Sequence, residues 1–254
     1  MITTSTHPTG ARPRRSTLDR SRALRLAATE YQRYLDLLLT LETPDWTQPT
    51  DCAAWNVRQM AAHNLGMAEM AGSLPEMGRQ FSGAGRRPER GVDALTAYQV
   101  DQRSSLTPAE IIDRYRKASA RAVRGRRRRS RLLGRFPLPE PQVVDRSPER
   151  WTFGYLFATI LTRDTWMHRI DTARATGRPL ILTADHDGTL VADVVTEWAS
   201  RHGAPFTLHL TGPAGGTWTS GTAGQHIDLD AVQFVRTLSG RESGPGLLTV
   251  QVPF

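Results

Sequence analysis

The chain has one cysteine, Cys52, and one lysine, Lys117. A single thiol excludes an internal disulfide and any zinc site built from several thiolates, so a metal site here must draw on histidine and carboxylate. Long apolar runs are missing too. No stretch approaches the ~20 residues that span a bilayer, and the opening MITTSTHPTGARPRR lacks the apolar core of a signal peptide. A cytoplasmic protein with no membrane partner is expected. Aromatic residues are scarce at 7%, but 39% hydrophobic and 23% charged residues sit within the ordinary range of soluble proteins, so the chain should fold.

What is present in excess is arginine. The formal net charge is +8 and the sequence pI about 10.6, a balance that raises polyanions as partners. Alanine, glycine and proline are abundant alongside it, so the skew reads as the imprint of a GC-rich genome. The run Arg121, Arg124, Arg126, Arg127, Arg128, Arg129 and Arg131 has no interleaved aromatic residue for base stacking. It reads as a solvated helix end, and nucleic acid is disfavoured as a partner. A length of 254 residues fits one large domain or two modest ones.

Residues 1–15 show no periodicity and read as a mobile tail. Leu24, Ala28, Tyr31, Leu35 and Leu38 then recur at helical spacing, predicting a first helix from Ser16 to about Glu42. After a Pro-rich connector, Asn56 and Gln59 form a capping pair, and the stripe Met60, His63, Met67, Met70 and Leu74 predicts a second helix ending near Gly78. Residues 79–106 read as a long polar crossover with one short helix near Leu95–Val100. Thr107-Pro108-Ala109-Glu110 opens a third helix, whose inner side is Ile111, Ile112, Tyr115 and Ala122. Thr152 caps a fourth, which ends at Gly177 before Pro179. Beyond that the pattern changes. Val191–Trp198 reads as helix, FTLHL, TWTS and LLTVQV as strands, and Asp228 or Asp230 as the cap of a further helix. The organisation is therefore a bundle over residues 16–178 and a small α/β domain over residues 183–254.

Chemistry concentrates in the fourth helix, where Phe153, Phe157, Ile160, Asp164, His168, Asp171 and Ala175 share one stripe. A carboxylate and an imidazole on a core-facing stripe lose hydration and need a partner. Bundles meet that need by building metal sites from facing helices. His63, on the Met-lined stripe of the second helix, is the natural third ligand to Asp164 and His168. Three such ligands leave an open position for water or substrate. Two alternatives stand beside this: His63 as a hydrogen-bonded core histidine with Asp164 paired to Arg163 or Arg169, and Asp171 as the carboxylate ligand in place of Asp164. Met60, Met67 and Met70 would give an adaptable apolar wall, although Met at this spacing is more often core. Cys52 reads as a small half-buried residue.

The segments PTDCAAWNVRQMAAHN and RDTWMHRIDTARATGRP resemble the two metal-binding blocks of the mycothiol-dependent maleylpyruvate isomerase-like family. The resemblance implies an α+β fold: a DinB-like up-down four-helix bundle followed by a small α/β C-terminal domain of the sterol-carrier-protein-like kind. It implies that His63, Asp164 and His168 bind zinc or another divalent metal such as nickel, although the isomerase pattern carries Glu where this chain has Asp164. It also implies mycothiol as the thiol cosubstrate, an actinobacterial source, and a small-molecule electrophile as substrate for isomerisation or S-transfer. For the thiol, Arg58 and Arg241 are candidate binding residues. A thiol-independent metal hydrolase or cyclase is the main rival, and an Arg-rich binding module the lesser one. A monomer or homodimer is expected.

Overall fold

The computed structural model describes residues 12–89 and 91–254. The first eleven residues of the expected tail lie outside them. Arg14, also expected in that tail, is tied down: its amide donates to the Arg150 carbonyl at 2.8 Å and its own carbonyl accepts from the Thr152 amide at 3.0 Å.

Four long helices make the bundle. The first, α1 (Arg20–Leu39), starts at the cap of Asp19. The second, α2 (Val57–Gly72), starts at a reciprocal capping box between Asn56 and Gln59, as the sequence predicts. It stops six residues short of Gly78, because Ser73 breaks the helix and caps a new one, α3 (Leu74–Ala84), with Pro75 in its first turn. Where a polar crossover with one short helix near Leu95–Val100 was expected, the chain thus forms α3 and then α4 (Gly91–Asp101), which contains that short helix. The third bundle helix, α5 (Pro108–Leu132), opens on the Thr107/Glu110 capping box. A tight hairpin of β1 (Gln142–Val144) and β2 (Ser147–Glu149) follows, with Asp145 and Arg146 at positive φ in its turn. The last bundle helix is composite. It runs from α6 (Phe153–Tyr155) through a π turn (Leu156–Ile160) into α7 (Leu161–Thr176), and Gly177 ends it in the left-handed conformation at φ 65°.

Helices α1 and α2 each pack against both α5 and α7. Helices α2 and α5 approach closely at Gly125, where an added Cβ would lie 2.1 Å from the Ala71 carbonyl oxygen. The bundle core gathers Tyr34, Leu38, Leu65, Ala68, Ile111 and Tyr115. Met60 is fully buried, and Met67 and Met70 belong to the core, so the methionines pack the bundle and do not form a substrate wall.

The C-terminal module comprises α8 (Thr189–His202), β3 (Phe206–Thr211), β4 (Gly216–Ser220), β5 (Gln225–Asp230) and α9 (Ala231–Leu238). Its sheet has the order β4-β3-β5, with β3 antiparallel to β4 and parallel to β5. Asp230 caps α9 by accepting from the amides of Val232 and Gln233. The predicted final strand LLTVQV is instead a 3-10 turn (Gly246–Thr249) and irregular chain. Leu248 and Val252 alternate there because they dip into the core, not because they pair in a sheet. That core also contains Leu26 of α1 and Trp166, Met167 and Ile170 of α7.

Buried ion pairs pin this module to the bundle. Arg163 on α7 donates to Asp193 at 2.7 Å and Glu197 at 2.8 Å, both on α8. Arg169 donates to Glu30 at 2.6 Å and Asp187 at 2.7 Å. His186 pairs with the same Glu30. Glu30, His186 and Asp187 lie close enough together to hold an ion. Their carboxylates are already bound by Arg169, Arg33 and the Trp166 indole N–H, so they serve as an electrostatic clasp.

Candidate metal centre

The bundle brings His63 of α2 beside Asp164 and His168 of α7. The Nε2 atoms of both histidines lie 3.4 Å from Asp164 Oδ1, and the imidazoles stand nearly perpendicular with centroids 5.1 Å apart. Asp164 and His168 come together because they are one helical turn apart. His63, distant from both in sequence, arrives because α2 and α7 are neighbours. His63 is 1% exposed and His168 6%. The Trp55 ring tilts against both imidazoles, 4.9 Å and 5.8 Å from their centroids, and covers the site on the connector side.

Neither arginine proposed as an alternative partner reaches Asp164, since Arg163 and Arg169 are spent on the C-terminal carboxylates. The second oxygen, Asp164 Oδ2, is buried without a hydrogen-bond partner. A buried carboxylate in that condition is costly. Burial alone would raise its pKa, but the imidazoles of His63 and His168 hold it well below the ordinary carboxylate range. Burial likewise opposes charge on His168, yet Asp164 beside it raises the imidazole well above its ordinary value.

The outer hydrogen bonds say which nitrogen atoms are free. His63 Nδ1 lies 2.8 Å from Gln99 Oε1, and the Gln99 amide is oriented by donating from Nε2 to Gln80 Oε1 at 2.8 Å. A proton on His63 Nδ1 satisfies Gln99 Oε1, which leaves Nε2 as the nitrogen facing the Asp164 carboxylate. On the other side, His168 Nδ1 lies 3.4 Å from Asp171 Oδ2, too loosely placed for a well-formed hydrogen bond. Two imidazole nitrogens and a half-satisfied carboxylate converging within 4.8 Å of one another need a proton or a cation between them. Zinc or another divalent ion fits this donor set, with two nitrogens and a carboxylate oxygen.

Asp171, the rival ligand, is already engaged. It accepts from Arg241 Nε at 2.9 Å and Nη2 at 2.6 Å, and Arg236 lies 3.5 Å away. It stands behind His168, 3.4 Å from Nδ1, on the side away from Asp164. Arg241 is thus at the site's edge, where its Nη2 also reaches Cys52 Sγ at 3.5 Å. Arg58, the other arginine expected to bind a thiol, donates from Nη1 to the carbonyls of Ser104 and Leu106 and so braces the turn before α5. Sequence reasoning placed Gln99 in a short helix but did not single it out, because its partner His63 lies 36 residues away.

A profile of the family described as mycothiol maleylpyruvate isomerase N-terminal domain matches residues 27–173, a span that contains His63, Asp164, His168 and Asp171. The chain belongs to this family. Two solved structures share its fold: the mycothiol-dependent maleylpyruvate isomerase and a histidine-to-alanine mutant of it. Each is 15% identical, with a TM-score of 0.54, over 89% of this chain and 91% of the other. The likeness extends beyond the bundle into the C-terminal module, and at this identity it speaks for the fold alone. No curated protein matches the sequence. Among the described residues no helix is long and apolar enough to cross a membrane.

Proposed function

We propose that this chain is a metal-dependent enzyme that uses a low-molecular-weight thiol, mycothiol, as a nucleophile toward an electrophilic small molecule, isomerising it or retaining it as an S-conjugate. The observation that supports this most is the convergence of His63 Nε2 and His168 Nε2 on Asp164 Oδ1 at 3.4 Å, with Asp164 Oδ2 left without a partner, in a member of an isomerase family named for mycothiol.

When bound there, a divalent metal would lower the pKa of a coordinated water or thiol to give a nucleophile at neutral pH. The chain's own residues set the stage. His63, Asp164 and His168 supply three ligands, and a protein triad leaves a further coordination position open. Gln99 fixes the tautomer of His63, and Asp171, gripped by Arg241, faces the outer nitrogen of His168. Trp55 shields the ligands from water on one side. Arg241 keeps its place as the candidate thiol-binding residue, because its Nη1 takes no part in the bonds to Asp171 and Cys52.

Cobalt substitution in a Cys52→Ser background tests the reading, since removing the only protein thiol leaves added mycothiol as the sole sulfur donor of that kind. A sulfur-to-cobalt charge-transfer band on adding mycothiol is expected. No band, together with turnover indifferent to thiol, would replace this reading with a metal-dependent hydrolase or cyclase.

A further inference from the structure

A cavity lies between the α2–α3 junction and α5, lined by none of His63, Asp164 and His168. It has a volume of about 920 Å³, within the size range of small-molecule sites. One wall is α5, where Arg114, Arg121 and Arg128 recur every seven residues with Arg124 among them, all exposed on one helix face. The opposite wall is the first turn of α3, with Ser73 and Glu76.

The charges in this cleft do not cancel. Arg103 is paired with Glu69, and Arg79 with Glu76. Arg129, at the floor, donates only to the carbonyls of Met70 and Ala71. The four arginines of the α5 wall make no hydrogen bond or ion pair with any described residue. Like charges lining a concave wall repel one another and favour an anion between them. No aromatic side chain lines the cavity, so nothing there would stack a base.

A second observation ties the cleft to the metal centre. Gln80 and Gln99 are fully buried, and their amides form a one-way chain. His63 Nδ1 lies 2.8 Å from Gln99 Oε1, which accepts from it, Gln99 Nε2 donates to Gln80 Oε1 at 2.8 Å, and Gln80 Nε2 donates to Glu76 Oε1 at 2.8 Å. That same Glu76 oxygen accepts from Arg79 at 2.7 Å and Arg103 at 3.3 Å. Gly66 makes room for the chain, since a Cβ there would sit 2.8 Å from the Gln99 side chain.

We propose that this cleft binds a small polyanion carrying phosphate-type groups, and that the Glu76–Gln80–Gln99 chain transmits its occupancy to His63. The unpaired α5 arginines would take the anion, which would compete with Glu76 for Arg79 and Arg103. A Glu76 carboxylate less occupied by arginine accepts more strongly from Gln80, and each amide in turn polarises the next. The consequence for metal affinity rests on the proposed metal site; anion binding and the response of His63 do not.

The test uses the full chain, metal-free and with a chelator present, titrated with inorganic tripolyphosphate by calorimetry while the His63 ring nitrogens are followed by ¹⁵N NMR. Saturable binding is expected, weakened by more than about tenfold in the exposed double variant Arg121→Glu/Arg124→Glu, as loss of charge-assisted contacts implies. The His63 Nδ1 resonance should move on saturation, and should stay nearly still in Gln80→Met, a variant that keeps the cleft arginines. Absent saturable binding, or equal binding by the double variant, would overturn the site. Binding with no His63 shift, or the same shift in Gln80→Met, would overturn the relay. Tighter binding of a single-stranded oligonucleotide or of anionic vesicles through the same arginines would overturn the small-molecule assignment.

Discussion

Arg241 Nη2 holds Asp171 Oδ2 at 2.6 Å, and the same carboxylate oxygen stands 3.4 Å from Nδ1 of His168. The C-terminal segment therefore reaches the candidate metal site through one arginine and one carboxylate. Loss of such an outer partner typically weakens metal binding by about 10–100-fold without abolishing it. Asp171→Asn is expected to behave that way in a competition titration against a chromophoric chelator, with stoichiometry unchanged. Unaltered affinity would show that Asp171 serves only to satisfy Arg241.

Arg163 is 1% exposed and carries two buried carboxylates, Asp193 and Glu197. Removing one partner of a buried pair costs about 3–5 kcal/mol, because the remaining charges stay buried. Arg163→Met should lose stability on that scale in urea unfolding followed by circular dichroism. A loss below about 1 kcal/mol, the range of surface pairs, would mean that water enters this interface.

The same interface sets the acid limit. Burial alone would raise Asp187 and Glu197, but Arg169 beside the first and Arg163 beside the second hold both below the ordinary range. A depressed folded-state pKa gives stability that is present above the unfolded values, about 3.9 for Asp and 4.3 for Glu, and lost as pH falls toward the folded ones. Acid unfolding is thus expected below about pH 4. Glu197→Gln should start less stable at neutral pH and lose less on acidification. A steeper acid loss in that variant would contradict the assignment.

Gly125 lets α5 touch α2, with the Ala71 carbonyl oxygen 2.1 Å from where a Cβ would stand. Backbone cannot swing aside as a side chain can. Gly125→Ala should therefore destabilise by about 1–3 kcal/mol net of overpacking, despite the ~1 kcal/mol that alanine adds to helix propensity. A higher melting temperature would show that the helices slide apart at little cost.

Much of this was legible where local chemistry decides the outcome. The Asn56/Gln59 and Thr107/Glu110 boxes start helices where the sequence places them, and Gly177 ends one, because each satisfies backbone groups within a few residues. Helix α4 was anticipated only as a short helix near Leu95–Val100 and α3 not as a separate helix, because their inward positions include Gln80 and Gln99, whose burial depends on partners far along the chain. The apolar alternation of LLTVQV misled for the opposite reason, since Leu248 and Val252 enter a core shared with the sheet without the segment pairing as a strand of it. At the site, His63, Asp164 and His168 could be picked out because each breaks an apolar stripe. The placement of Gln99 beside His63 and of Asp171 beside His168 Nδ1 with Arg241 behind it could not, because these contacts exist only in the tertiary fold.

The central claim is that His63, Asp164 and His168 hold a divalent metal. Elemental analysis of protein purified without a histidine tag tests it most directly. About one zinc, nickel or similar ion per chain is expected, lost in His63→Ala, His168→Ala and Asp164→Ala and retained at full stoichiometry in Asp171→Ala when metal is in excess. Metal-free wild-type protein after incubation with excess ion, or metal lost in Asp171→Ala yet kept in Asp164→Ala, would contradict it.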